Sequence, residues 1–530
     1  MSRTKPAEAL TNLKDRLALA GALALGVVVM FTNITKSSIW HDEGYTMMLI
    51  PKAPLDILAR TARDVHPPLH YLTLHYWTSL FGTSELAARS LSAVFMLGTI
   101  MVMFYLVKRL FGTAPARLAA LFLALAPFLV RYAQEARMYA MVAFLLALAT
   151  LFLVRWVEER RSRDLFWYAL ALAAALYTHY YAIFMIAVHW LFILALTLSP
   201  RWHLSGKTES FEPKQVPPHG PVSTTDSLRV TPEDRTRRSG LRNPDWWLAN
   251  VLAFLLFLPW LPAAYAQFSR VQAAFWIPRV NADTLPHSLA QFLTFTSLPE
   301  LTATGRLVGA LVLVALVAAA VWFNRQHLPR WILLISYAAL GPLAVFVLSF
   351  KRPIYVDRYF VFSAVAFYAL LAVLPYTLPA LTRQAWLRRL SIAVIVVMFG
   401  FGIRNVYQQS DHQMRTIGQT VSAQFQPGDE LVSGELYTYF DFSYYNRTGQ
   451  TLKLLAPGGL TGYGESSLLY DRADQIVVRD YRELKPSSGY VWVIGKTGQH
   501  DYFDRVPANW QPVGPKYQAG YSAAQRYVVR

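Results

Sequence analysis

The stretch LALAGALALGVVVMFTNITKSSIWHDEGYTMMLIP, residues 17–51, decides how the rest of the chain is read. Its first part, Leu17 to Ile34, carries no charge and approaches the ~20 residues that a helix needs to cross a bilayer. At the foot of that span stand two adjacent carboxylates, Asp42 and Glu43, between an imidazole (His41) and a phenol (Tyr45). An acidic pair in such a place is either an ordinary loop or part of a site. The remainder of the chain decides between them.

The 530 residues are 54% hydrophobic and 15% charged, where a soluble chain would carry about 25% charged residues. The apolar residues are clumped in long runs, so the chain reads as a polytopic membrane protein. It holds no cysteine, which excludes disulfides, thiolate metal sites and cysteine nucleophiles. The first span lacks a small-residue cleavage pattern and is followed by others, so it reads as a retained helix.

Eleven spans are expected, at 17–35, 88–107, 115–131, 138–154, 165–178, 182–198, 246–265, 306–323, 331–349, 359–379 and 390–406. With the N-terminus cytoplasmic, the inner segments hold 24 Lys and Arg and the outer segments 12. The positive-inside bias then places WHDEGY outside the cytoplasm. The net charge of +18 is explained by these topology anchors, with no need for a nucleic-acid partner. Residues 1–406 form the expected transmembrane catalytic domain. Within it, 36–87 is an outer loop with interfacial helices, and 201–245, rich in Pro, Ser, Thr and Arg, is a flexible cytoplasmic loop. From 407 to 530 the chain is soluble in character, with β-type runs DELVSG, QIVVRDY and GYVWVIG between polar turns. That predicts a small α/β domain outside the membrane.

In the outer loop, PLDILARTARDV sets Leu55, Leu58, Ala62 and Val65 on one helical face, as an interfacial helix would. HPPLHYLTLHYW follows, with His66 at the start of a helix opened by two prolines and His70 a turn inside. The other unusual polar residues lie in outer turns. RYAQEARMYAM holds Arg131, Glu135, Arg137 and Tyr139, YTHYYA holds His179 and Tyr180, and FKRPIYVDRYF holds Lys351, Asp357 and Arg358. Each alone reads as a capped helix end. Together they gather acids, histidines and arginines on one face of the membrane, which scattered decoration would not do.

A carboxylate at this boundary can accept a proton from an acceptor hydroxyl. Arginines can hold a phosphate through paired, charge-assisted hydrogen bonds. Tyrosines and Trp276 offer flat surfaces to sugar or lipid. Transfer of a sugar from a lipid phosphate uses all of these.

The ordered set HDEGYT, HPPLHYL, ARSLSAVF and QEARMYA resembles the GT-C glycosyltransferases. It is most similar to the bacterial branch near the protein O-mannosyltransferases and lipid A aminoarabinose transferases. The resemblance covers residues 15–200 well, the later spans loosely and the C-terminal domain not at all. It implies an inner-membrane, multi-pass enzyme of GT-C-like fold with a polyprenyl-phosphate sugar donor. It further implies transfer outside the cytoplasm to a lipid, glycan or protein hydroxyl, inverting the anomeric centre. On this resemblance Asp42 falls on the catalytic acidic position, with Glu43 beside it, and Glu135 on a second acidic position. Arg137, Arg358 and Lys351 are the expected phosphate-binding cations. His66, His70, Tyr139, His179, Tyr180, Asp357 and Trp276 are the expected substrate wall. Some relatives use a divalent metal, which Asp42, Glu135 and a histidine could hold, but the residues do not establish a metal site. The rival reading is a transporter or flippase of lipid-linked sugars. Transporters set polar sites near the midplane in broken helices, whereas here the charges gather at one surface.

Overall fold

The structure, a computed structural model, describes residues 6–199, 241, 243–270, 277–295, 302–409, 413–497 and 502–529. Most of the loop expected at 201–245 therefore lies outside the described residues, as does Trp276.

All eleven apolar stretches are helical. Eight of the described helices are long and apolar enough to cross a membrane, or nine if a bent pair forms one span. The first ten helices are α1 (Pro6–Phe31), α2 (His41–Leu49), α3 (Pro54–Arg63), α4 (Leu69–Phe81), α5 (Glu85–Phe111), α6 (Thr113–Leu125), α7 (Pro127–Ala133), α8 (Tyr139–Glu159), α9 (Ser162–Leu176) and α10 (Ile183–Leu198). The bent pair is α6 and α7, which meet at 55°. Pro127 cannot extend the hydrogen-bond ladder of α6, so a new helix starts there. Two of the eleven stretches fall outside this set: α9 has only 15 residues, and α1, with 26, carries Lys14, Asp15 and Arg16 in its first half.

The main core joins α5, α6, α8, α9 and α10 to the helix Val361–Val373, every residue of which is buried. Helix Ala303–Phe323 does the opposite. Only Ala320 is buried, and Leu311, Val314 and Trp322 are 60%, 62% and 67% exposed. An exterior this apolar fits hydrocarbon rather than water.

Between α1 and α5 the chain makes three short helices. The acidic stretch is helix α2, not a loop, and its first turn carries Asp42 and Glu43, where a helix N-terminus favours negative charge. In α3 the buried positions are Ile57 and Thr61, while Leu55 is 79% exposed. Of the face expected at the membrane interface, Leu55 is exposed while Leu58, Ala62 and Val65 are half-buried.

The C-terminal domain has a six-stranded sheet in the order β3-β2-β1-β4-β6-β5. The strands are β1 (Glu430–Ser433), β2 (Leu452–Leu455), β3 (Val477–Val478), β4 (Tyr490–Lys496), β5 (Gln511–Ala519) and β6 (Ser522–Val528). β1 to β4 are mutually parallel and β6 runs antiparallel to β4 and β5. DELVSG and GYVWVIG supply the two central parallel strands, β1 and β4, as their β-type runs predict.

This domain sits directly on α2. A Cβ added at Gly44 would lie 2.7 Å from the backbone carbon and oxygen of Phe440, in helix Leu436–Tyr445, so only glycine allows the two helices to approach this closely. A polar latch lies beside the contact. Tyr445 donates to Glu85 at 2.6 Å, accepts from the Ile39 amide at 2.7 Å, and Glu85 also pairs with Arg415.

Candidate active site

Asp42 and Glu43 are both buried, and being adjacent on α2 they face different partners. Glu43 is fully engaged. Arg89 Nε and Nη2 donate to its two oxygens at 2.8 and 2.6 Å, and the Ala136 amide adds a third bond at 2.8 Å. Arg89 also donates to the carbonyls of Ile34, Ser37 and Ser38. Burial opposes the charge on Glu43, but Arg89 outweighs it and keeps the carboxyl below its ordinary range. This pair ties α2 to α5, to the turn after α1 and to the turn before α8.

Asp42 is held differently. His41 Nε2 lies 3.1 Å from Oδ1. On the other side, Arg358 Nη2 and Arg137 Nε stand 3.5 and 3.9 Å from Oδ2, beyond good hydrogen-bond reach. Burial pushes this carboxyl up, but Arg137, His41 and Arg358 together hold it far below the carboxylate range. Arg137 is fixed by bonds from Nη1 to the Asp42 carbonyl, Thr46 and Tyr71, while its Nε has no hydrogen-bond partner among the described residues. Arg358 lies over the Trp40 ring at 5.1 Å.

Glu135 sits in the turn between α7 and α8. Its Oε2 meets Arg131 at 3.1 Å, as their spacing suggested, but the chain is not helical there and its Oε1 is buried without a hydrogen-bond partner. Burial raises its pKa, with Arg131 opposing and the Glu43 and Asp42 carboxylates adding to the rise. The Tyr139 hydroxyl is likewise buried and unpartnered among the described residues. The Tyr139 ring lies 6.2 Å from both His179 and Tyr359. His179 accepts the Tyr181 amide at Nδ1, and burial drives its pKa down to about 3. His70, in the first turn of α4, is buried with both ring nitrogens unpartnered and is also held at about 3, chiefly by burial. His66 precedes the helix and reaches Asp64 at 3.5 Å. So many unmet polar atoms in one buried region are what a binding site shows before its ligand arrives.

Other expected residues lie further out. Tyr180 accepts from Trp260 at 3.0 Å and donates to Gln267, which ties α3 to the helix Leu261–Arg270. Asp357 accepts from Ser288. Lys351 is exposed and stands apart from the Asp42 cluster formed by the described residues.

Three contributors were not anticipated. Arg89 stands in ARSLSAVF, and a charged residue inside an apolar run was a readable signal. Asp64 is a buried carboxylate whose Oδ1 has no partner. The third contribution comes from the C-terminal domain. Glu465 approaches Asp42, and burial together with the Asp42 charge pushes it up to about 7. Tyr437 packs on His41 at 4.6 Å, and Asp441 pairs with Lys496 at 3.2 Å, burial holding it at about 6. Among the described residues the group of metal-ligating side chains with all ligand atoms within 4.8 Å is His41, Asp42 and Glu465. Glu465 thus stands where Glu135 was expected.

Residues 65–208 match the family described as dolichyl-phosphate-mannose-protein mannosyltransferase. The whole structure resembles ArnT from Cupriavidus metallidurans in the apo state, with a TM-score of 0.61 and 14% identity over 96% of this chain and 97% of that one. The fold is that of the GT-C glycosyltransferases. ArnT bound to undecaprenyl phosphate matches with a TM-score of 0.59 and 15% identity, over the same shares of both chains. The Archaeoglobus fulgidus oligosaccharyltransferase, in complex with Zn and sulfate, matches at 0.50 with 10% identity, over 90% of this chain and 68% of that one. No curated protein sequence matches the chain. The expected GT-C resemblance, with its many apolar helices and small C-terminal sheet domain, therefore holds, and eight or nine of the eleven expected spans are long and apolar enough among the described residues.

Proposed function

We propose that this chain is an integral-membrane glycosyltransferase that moves a sugar from a polyprenyl-phosphate donor to an acceptor hydroxyl outside the cytoplasm. The observation that carries the reading is the position of Asp42. It is a buried carboxylate paired with two arginines at 3.5 and 3.9 Å, beyond good hydrogen-bond reach. That gap suits a phosphate oxygen on the arginines and a hydroxyl on the carboxylate. The match to ArnT bound to undecaprenyl phosphate supports the lipid-phosphate class of donor.

In the step proposed, the acceptor oxygen attacks the anomeric carbon as the bond from that carbon to the phosphate oxygen breaks. The acceptor proton passes to Asp42, and Arg137 and Arg358 hold the charge that collects on the departing polyprenyl phosphate. Attack opposite the leaving group inverts the anomeric centre. Free Asp42 is a weak base because the arginines stabilise its charge. A donor phosphate that shares those guanidinium groups makes it a stronger one, so donor binding readies the base. Glu43 fixes α2 through Arg89, and Glu135, with Tyr139 and His179 behind it, lines the donor side. The N-terminus and the 201–245 loop are cytoplasmic on the basic-residue count, and the C-terminal domain faces outward with the site.

The test is mass spectrometry of lipids that co-purify with the protein. A polyprenyl-phosphate sugar is the expected species, lost in an Arg137→Ala, Arg358→Ala double variant. Phospholipid alone from both proteins contradicts the reading.

A further inference from the structure

The C-terminal domain carries a crevice of its own. From β1 the chain builds β2 and β3 on one side of the sheet and then returns to β4 on the other, with these four strands parallel. The strand order therefore reverses between β1 and β4. At such a point the segments leaving the carboxyl ends part, and parallel sheets hold their ligands there. β1 ends at Ser433, opposite Ile494 of β4, and Glu435 and Lys496 follow just beyond.

The crevice lies against α2. Tyr437, in the first turn of helix Leu436–Tyr445, packs on His41 at 4.6 Å, yet remains 40% exposed. Asp441, one turn further on, is close enough for its charge to act on His41. Its Oδ2 meets Lys496 at 3.2 Å, whereas its Oδ1 is buried with no hydrogen-bond partner among the described residues. Asp441 is only 2% exposed, so that missing bond is costly until a ligand supplies it. Glu435 accepts from Thr438 at 2.7 Å and stands 3.9 Å from Lys496.

A carboxylate and an ammonium 3.2 Å apart can engage neighbouring hydroxyls of one ring, the first donating to Oδ1 and the second accepting from Lys496. Tyr437 offers a flat face to the C–H groups of that ring. The carboxylates of Glu435 and Asp441, with Glu465 and Asp42 around His41, outnumber the two bases Lys496 and His41, so a phosphate or carboxylate is repelled here. The proposed donor phosphate belongs on the arginines at Asp42 Oδ2, while His41 and the crevice lie on the Oδ1 side. We infer that this crevice is an acceptor subsite for an uncharged sugar residue, with Asp441 and Lys496 on its adjacent hydroxyls and Tyr437 on its face. The subsite rests on the proposed transfer reaction and narrows its acceptor from any hydroxyl to that of a neutral glycan.

The experiment is binding of the full, epitope-tagged chain in detergent, without donor, to a printed array of neutral, phosphorylated and sialylated oligosaccharides. Retention on neutral glycans, and not on their anionic counterparts, is expected. Asp441→Asn and Tyr437→Ala should each weaken binding of the best neutral glycan at least about tenfold, while Glu483→Gln, elsewhere in the C-terminal domain, should not. Monodisperse elution checks folding, and Tyr437→Ala, which removes a part-exposed ring, keeps the test open if Asp441→Asn does not fold. Retention of no neutral glycan, retention of anionic glycans alone, or parent-like affinity in both variants overturns the inference. The array uses neither donor nor transfer. A co-purifying polyprenyl-phosphate sugar without glycan binding therefore overturns the subsite alone and leaves the proposed function standing.

Discussion

Replacing Glu43 by glutamine should cost stability far more than chemistry. Both oxygens of Glu43 are taken, by two bonds from Arg89 and one from the Ala136 amide, and both side chains are buried, at 0% and 2% exposure. Glutamine keeps the shape but strands the guanidinium charge away from water. Breaking such a buried pair costs about 3–5 kcal/mol. If about 3 kcal/mol of that appears in the unfolding barrier, irreversible loss of monodisperse protein at a fixed temperature speeds up by about 10²-fold. Arg89→Met leaves the carbonyls of Ile34, Ser37 and Ser38 without their donor and should be comparably damaging. The double variant should fall short of the summed losses by at least ~1 kcal/mol, because the pair is one unit. Turnover per folded molecule in Glu43→Gln should stay within about tenfold of the parent. A half-life equal to the parent's, or strictly additive losses, would refute this account of the pair.

Arg137→Lys and Arg358→Lys keep charge but lose the planar fork, so each should raise the KM for a polyprenyl-phosphate sugar about tenfold or more, read by initial rates against donor concentration; unchanged donor saturation in both removes them from the phosphate site. Gly44→Ala inserts a carbon 2.7 Å from the Phe440 backbone, so it should prise the C-terminal domain from α2 and expose new cleavage sites in limited proteolysis, where a parent-like pattern contradicts the close contact. His179 is held neutral down to about 3, so between that value and ~6.5 the unfolded chain binds a proton that the folded one refuses, and stability falls as pH drops through this window. His179→Gln should accordingly lose less apparent melting temperature than the parent between pH 7 and 5, and equal losses would show that the imidazole is not buried neutral.

Much of the fold was legible because charge-free runs have few alternatives to helices in a membrane. The cluster was half legible. Asp42, Glu135, Arg137 and Arg358 could be assigned to one face, since topology alone decides which turns share a side. The protein-facing side of α3, at Ile57 and Thr61, was not, because periodicity finds an apolar face without saying what the other faces meet. Glu465 could not be found either. It lies in a turn of a separate domain, and no spacing within one segment encodes how two domains dock. Gly44 was the readable trace of that docking, a glycine inside a helix where nothing local calls for one.

The central claim rests on Asp42, and its most direct test is Asp42→Asn. The substitution keeps the size but removes the charge and basicity, and loss of a general base typically costs about 10²–10⁴-fold in rate. The measurement is transfer from a polyprenyl-phosphate sugar by purified, monodisperse protein in detergent. A loss of that size with donor binding retained is the predicted result. Transfer at the parent's rate by well-folded Asp42→Asn would contradict the account.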